Sequence, residues 1–319
     1  MTLAARAPGK TNLCLFLGAA RADGLHELVS VIEPLSLADE LTLEPLPGGA
    51  LVAAAPGAGD MACAAGEDEV VCAGVEGPNL AGAALAAWRA ASAWEGPPLR
   101  LTIVKHVPVA AGMGGGSGDA AAALRLAAHA AGRPDDPLIA RLAPQLGADV
   151  PSQVAPGPVL VGGAGEDVRA LAPLPLHGVL VLPSPHALST PQVFREADRL
   201  GLARAAGDLD ARRVEVEIAL AGGELPPPVN DLGPAARSLC PWVDGALAAA
   251  RDAGADHALV SGSGPTVVGI FHGPDGPAAA EAAARELAAR FPGAAGARPV
   301  DAAFAAIRGM WDDETAHGP

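Results

Sequence analysis

There is no tyrosine in this 319-residue chain, and aromatic residues make up only 3% of it. Any site that stacks a base or a sugar must be built from very few rings. Lysine is almost as scarce: Lys10 and Lys105 stand against 19 arginines. Both lysines flank glycine-containing motifs. The four cysteines, Cys14, Cys63, Cys72 and Cys240, show no C-x-x-C spacing, which argues against a zinc site and a disulfide framework. No apolar run reaches the roughly 18 residues that span a membrane, and the opening Met1-Thr2-Leu3-Ala4-Ala5-Arg6 lacks the apolar core of a signal peptide. The expectation is a cytoplasmic protein without a membrane partner. Positive charge is also short: the net charge is −15, which argues against a nucleic-acid partner, since such a surface carries a basic patch.

Glycine, in contrast, is plentiful, and it is concentrated. In Pro108-Val109-Ala110-Ala111-Gly112-Met113-Gly114-Gly115-Gly116-Ser117-Gly118-Asp119, five glycines fall within seven residues. The preceding residues 100–105 alternate polar and apolar, as a half-buried strand does. The following residues 120–131 are strong helix formers, and Asp119 is placed in the first turn, where a carboxylate suits the dipole. A strand, a glycine loop and a helix start together make a phosphate cradle, because free N–H groups and a partial positive charge converge there. The same stretch also reads as a tight turn in an Ala/Gly-rich protein. Two common phosphate signatures are excluded. The P-loop needs a lysine after its last glycine, and in G-x-G-x-x-G counted from Gly112 the sixth position is Ser117.

The chain is long enough for two domains, expected as residues 1–156 and 157–319, with a boundary near Pro156-Gly157-Pro158. Residues 11–17 and 28–44 read as strands around an Asp23-Gly24 turn, and residues 46–78 as turns with an edge strand. Helices are expected at 79–93 with Asn79 as cap, at 134–146, at 190–200 with Thr190 as cap, at 208–220, at 230–253 and at 277–290. Further strands are expected at 178–183, 257–260 and 267–271. Pro151 disfavours helix at Val150, so Asp149 is expected on an irregular, constrained segment. The tail from Asp301 is acidic near its end.

Three motifs stand out: Pro8-Gly9-Lys10-Thr11-Asn12-Leu13, the central loop, and Val260-Ser261-Gly262-Ser263-Gly264-Pro265. Asp23-Gly24-Leu25-His26-Glu27-Leu28, Gly147-Ala148-Asp149-Val150-Pro151 and Asn230-Asp231-Leu232 accompany them. In this order they resemble the GHMP small-molecule kinases over residues 6–272. Within that superfamily they resemble the branch that phosphorylates a cytidine-diphosphate conjugate of methylerythritol in the non-mevalonate isoprenoid pathway.

The resemblance implies an α+β, two-domain fold. Its first domain would be like domain 2 of ribosomal protein S5 and its second ferredoxin-like, with ATP and a small-molecule substrate in the cleft. ATP would lie on Pro108, Ala111, Gly112, Met113, Gly114, Gly115, Gly116, Ser117 and Gly118, with Gly262 and Gly264 closing over the phosphates. Mg²⁺ would bridge the phosphates, with Ser117 as the matching hydroxyl. Asp149 matches the catalytic base and Lys10 the lysine that orients it. Asn12, Leu25, His26, Thr190 and Phe194 match substrate positions: His26 at the cytosine edge, Phe194 as a stacking ring or a core phenylalanine. Lys105 matches either a nucleotide neighbour or a solvated strand end. A monomer or a homodimer is expected.

The chain departs from the pattern in three places. Leu25 stands where a stacking aromatic is usual, Gly118 where a second serine is usual, and Gly9 where this branch has alanine. Each of the catalytic assignments also has a plainer reading, as a turn carboxylate, a surface lysine, a packing histidine or a hairpin turn. Two further functions remain open on the sequence: a GHMP kinase for another small alcohol (a sugar, homoserine or a mevalonate-like acid), and a non-catalytic ligand sensor on the same scaffold. A nicotinamide dehydrogenase is disfavoured by the failed glycine fingerprint.

Overall fold

The structure is a computed structural model that describes residues 2–46, 68–75, 77–134 and 136–309. It is built of two sheets with helices packed on them. The first part of the chain runs β1 (Leu3–Ala20), β2 (His26–Pro45), β3 (Glu69–Cys72), α1 (Leu80–Ser92), β4 (Leu99–Val104), α2 (Gly115–Ala130), α3 (Leu138–Leu146), α4 (Val150–Gln153), β5 (Val159–Gly162) and β6 (Asp167–Ala170). The second part runs β7 (His177–Leu182), α5 (Thr190–Leu200), α6 (Ala206–Ala221), α7 (Gly233–Leu239), α8 (Trp242–Asp252), β8 (His257–Val260), β9 (Val267–His272), α9 (Gly276–Leu287), β10 (Ala295–Ala297) and β11 (Arg308–Gly309).

The first sheet has the order β11-β1-β2-β4-β3, with β5 pairing β2 and β6 pairing β5; the second has the order β10-β7-β9-β8. Strands β5 and β6 follow Pro156-Gly157-Pro158 yet remain hydrogen-bonded to the first sheet, so a division of the chain there cuts through it. Alternate residues of β1 and β2 bury Leu3, Ala5, Leu41 and Leu43 against α1 and α2. A second core joins the two sheets: Phe16, Val29 and Val31 pack with Val179, Val181, Val268 and Ile270. Helices α8 and α9 cover the outer face of the second sheet through Val243, Leu247, Ala280 and Leu287.

Local chemistry accounts for where the elements begin. The Asn79 side chain accepts from the Ala81 amide at 2.8 Å and caps α1. Helix α5 begins one residue earlier than expected: Ser189, not Thr190, holds the extended N-cap conformation, and Thr190 is the first helical residue. The expected helix over 230–253 is two, α7 and α8, broken at Cys240-Pro241, because proline removes an N–H and clashes with the preceding turn. Residues 1, 47–67, 76, 135 and 310–319 lie outside the described set, and with them most of the expected turn region and the acidic tail. The edge strand expected in the turn region is β3, paired parallel to β4.

Candidate active site

The six motifs converge on one cavity of about 920 Å³. Strand β1 lies at its base, and its register against β2 shifts between Pro8 and Lys10 and again between Asn12 and Cys14. Such bulges re-aim side chains, and Lys10 and Asn12 both line the cavity. Lys10 is buried, with Nζ donating to Asn12 Oδ1 at 2.9 Å and lying 3.3 Å from Asp149 Oδ2. Asn12 in turn donates to Ser30 Oγ at 2.7 Å, and Ser30 donates to the Cys14 carbonyl at 2.6 Å. This chain of bonds fixes both side chains. Asp149 is the N-cap residue of α4 rather than part of an irregular segment, and Pro151 sits in the first turn, where a missing N–H costs no bond. Its carboxylate is 41% exposed and faces the cavity.

The glycine loop lies beside Lys10 and also lines the cavity. Gly114 is the N-cap of α2 with φ +64°, and the helix starts at Gly115, four residues before the expected start. Asp119 is therefore a buried residue of the second turn, not a first-turn carboxylate. It accepts from Lys105 Nζ at 2.7 Å, and the same ammonium is bonded to Asp39. Asp39 also accepts from the amides of His106 and Val107 at 2.6 and 2.8 Å, which braces the entry to the loop. Burial pushes the Asp119 carboxyl up to about 7. Burial alone would lower the Lys105 ammonium; the Asp119 and Asp39 carboxylates outweigh it and leave it raised. Lys105 lines the cavity, but it is a paired, largely buried residue and not a solvated strand end.

The loop is held from both sides. The Lys10 amide donates to the Met113 carbonyl at 2.8 Å, and Ser261 Oγ donates to the Gly112 carbonyl at 3.2 Å. A Cβ at Gly112 would lie 2.2 Å from the Ser261 carbonyl oxygen, so the two glycine motifs touch through their backbones. Asn230 ties the second motif down by donating to the carbonyls of Val260 and Gly262, both at 2.7 Å. Thr190 reaches it through Ser263 Oγ at 3.0 Å.

Of the expected nucleotide positions, Pro108, Ala111, Gly112, Gly114, Gly115, Gly116, Ser117 and Gly262 line the cavity, whereas Met113, Gly118 and Gly264 do not. The Met113 side chain is fully buried in the core shared by the sheets. Gly118 packs on β1: a Cβ there would lie 3.0 Å from the Pro8 carbonyl oxygen, which accounts for glycine in place of serine.

Leu25, His26, Thr190 and Phe194 line the far end of the cavity. His26 is buried, and its ring centroid lies 5.2 Å from that of Phe194 at a tilt of 46°. Leu25 is 55% exposed. The sequence reading missed Asp198, whose Oδ1 is 2.8 Å from His26 Nε2, and Arg195, which also lines this end. Asp198 lies four residues after Phe194 on α5, a spacing that could have drawn attention to it; no sequence signal singles out Arg195.

The profile of the GHMP kinases N-terminal domain matches residues 79–159, and that of the GHMP kinases C-terminal matches residues 215–293. The 4-diphosphocytidyl-2-C-methyl-D-erythritol kinase of Streptomyces coelicolor is 39% identical over 274 residues, 83% of this chain and 86% of that one. The chain belongs to the GHMP kinases. The enzyme of the same name from Anaeromyxobacter sp. strain K is 37% identical over 280 residues, 86% of this chain and 82% of that one. A crystal structure of 4-(cytidine 5'-diphospho)-2C-methyl-D-erythritol kinase superposes on this GHMP kinase with a TM-score of 0.71 and 31% identity, covering 93% of this chain and 99% of that one. Homoserine kinase from Cytophaga hutchinsonii shares the fold, with a TM-score of 0.66 at 14% identity, over 96% of this chain and 97% of that one. The chain is thus a small-molecule kinase of mixed α/β architecture with the two GHMP parts. Among the described residues no helix is long and apolar enough to cross a membrane.

Proposed function

We propose that this kinase transfers the γ-phosphoryl group of ATP to a hydroxyl of 4-diphosphocytidyl-2-C-methyl-D-erythritol, a step of non-mevalonate isoprenoid synthesis. The observation that carries this reading is the Lys10–Asp149 pair, 3.3 Å apart, which lines one cavity together with the glycine loop, His26 and Phe194. The substrate hydroxyl gives its proton to the Asp149 carboxylate as its oxygen bonds to the γ-phosphorus. The bond from that phosphorus to the β–γ bridging oxygen breaks, and ADP leaves. Lys10 positions Asp149 and offsets the negative charge that develops in transfer. The N–H groups at the start of α2 receive the phosphates.

Among the described residues, no three His, Cys, Asp or Glu side chains stand together as a metal cage. Around the glycine loop the cavity offers instead the Ser117 hydroxyl and the Asp149 carboxylate, with Asp119 already paired to Lys105 and Asp198 to His26. This sparse set of hard oxygens fits Mg²⁺, which is held mainly by nucleotide phosphates and one or two protein oxygens. Ser117 is its proposed protein ligand, and the ion, when bound, neutralises phosphate charge.

The second reading, another alcohol as acceptor, draws on Leu25, an exposed aliphatic side chain where the resembled branch carries a stacking aromatic. ADP release is measured with the cytidine conjugate, homoserine, galactose and mevalonate. Turnover of the conjugate, lost in Asp149→Asn, is the expected result. Turnover of a different alcohol alone would overturn the substrate and keep the kinase chemistry.

A further inference from the structure

We infer that Asp198 sets the hydrogen-bonding sense of His26, and so makes the site select a pyrimidine bearing an amino group over one bearing an oxygen at the same position. The inference deepens the cytidine reading above and rests on it.

Phe194 and Asp198 lie four residues apart on α5, so they share one face of that helix. The same helix therefore brings an aromatic ring and a carboxylate to His26. Asp198 Oδ1 is 2.8 Å from His26 Nε2. A carboxylate only accepts, so Nε2 carries the hydrogen, and in the neutral ring Nδ1 is left as an acceptor. Nδ1 makes no hydrogen bond among the described residues. The slot beside Phe194 and Leu25 therefore offers one ring face, one apolar side and one in-plane lone pair. Cytosine turns the N–H groups of its 4-amino group to that lone pair. Uracil turns a 4-oxo oxygen to it and sets one lone pair against another. A polar site that is complementary to one edge rejects the other because its own buried group is left unpaired. Without Asp198 the imidazole is free to exchange tautomers, and the sense of that contact is no longer fixed.

The test is a calorimetric titration of the full chain with CDP and with UDP, for the native protein and for Asp198→Ala. The Asp198 side chain is about half exposed, so the variant is expected to fold, and a thermal melt checks this. A long-range ¹H–¹⁵N spectrum of the imidazoles reads the tautomer directly. The native protein is expected to bind CDP about tenfold or more tightly than UDP. The variant is expected to narrow that ratio about fivefold and to lose the predominance of the Nε2–H tautomer. The same ratio in both proteins overturns the role of Asp198 and leaves the cytidine reading standing on the native preference. A native protein that does not prefer CDP overturns both, and ATP turnover on another alcohol then shows that the kinase chemistry itself holds.

Discussion

Lys10 holds three things at once: the Asp149 carboxylate at 3.3 Å, the Asn12 amide oxygen at 2.9 Å, and, through its backbone N–H, the Met113 carbonyl of the glycine loop at 2.8 Å. Only the first two depend on its side chain. Lys10→Met keeps the stem and the backbone bond but removes the ammonium. It is expected to lower kcat about 100-fold or more, the size seen when one preorganised electrostatic group is lost from a transition state. Steady-state kinetics checks this, and a kcat within about tenfold of the native value would remove Lys10 from the mechanism. Phe194→Ala acts elsewhere: it is expected to raise KM for the cytidine conjugate by about tenfold, one base–aromatic stack, with the KM for ATP unchanged as the control. That Lys10, Asn12 and His26 would come together was legible in the sequence because each sits in one of six motifs whose order resembles the GHMP kinases, and all three line the cavity. Asp39 and Asp198 were not. Their partners, Lys105 and His26, are 66 and 172 residues away in the chain, and no local pattern encodes such a pairing.

At the scale of elements, the two glycine loops divide into positions that need glycine and positions that merely have it. Gly112 has φ +76°, and any Cβ would strike the Ser261 carbonyl. Gly116 is helical and has open space around its Cβ position. Gly112→Ala is expected to destabilise the fold by about 1–3 kcal/mol, the cost of a strained backbone position, and to weaken ATP binding as the loop shifts. Gly116→Ala is expected to keep or slightly raise the melting temperature, because alanine is the better helix former by about 1 kcal/mol. Thermal melts of the two variants check this pair, and equal losses would mean that the loops do not depend on their close contact. The same glycines hid the start of α2. Helix propensity placed the first turn at Asp119, but the backbone N–H groups of a helix that begins at Gly115 are what the phosphate site requires, and packing on β1 stabilises it against propensity. Conversely, α1 was legible to its cap because Asn79 and the spacing of Leu80, Ala84, Leu85 and Trp88 agree with each other.

At the scale of the whole molecule, the two sheets meet through a shared apolar core, and one pair of ionisable groups is enclosed beside it. Glu33 of β2 and His177 of β7 are both buried, with Glu33 Oε2 and His177 Nε2 3.9 Å apart and neither hydrogen-bonded among the described residues. His177 Nδ1–H donates a hydrogen bond to the Pro175 carbonyl at 2.8 Å. Burial pushes the Glu33 carboxyl up to about 8 from an ordinary 4.5, and burial lowers His177. A carboxyl raised in the folded state keeps a proton that the unfolded chain has released, so stability falls as pH rises from 4.5 to about 8. Two other groups act in the lower part of that range: Asp119 with the same sign up to about 7, and His177 with the opposite sign below 6.5. Between pH 7 and 8 the Glu33 contribution stands clear of both. Stability there is expected to fall by up to about 1.4 kcal/mol per pH unit, one proton's worth of linkage. Glu33→Gln keeps a neutral, hydrogen-bonding side chain of the same shape, and its melting temperature is expected to stay level across the same interval. A native protein with a level profile between pH 7 and 8, or a variant with the native slope, would show that the carboxyl between the sheets is already ionised in the fold.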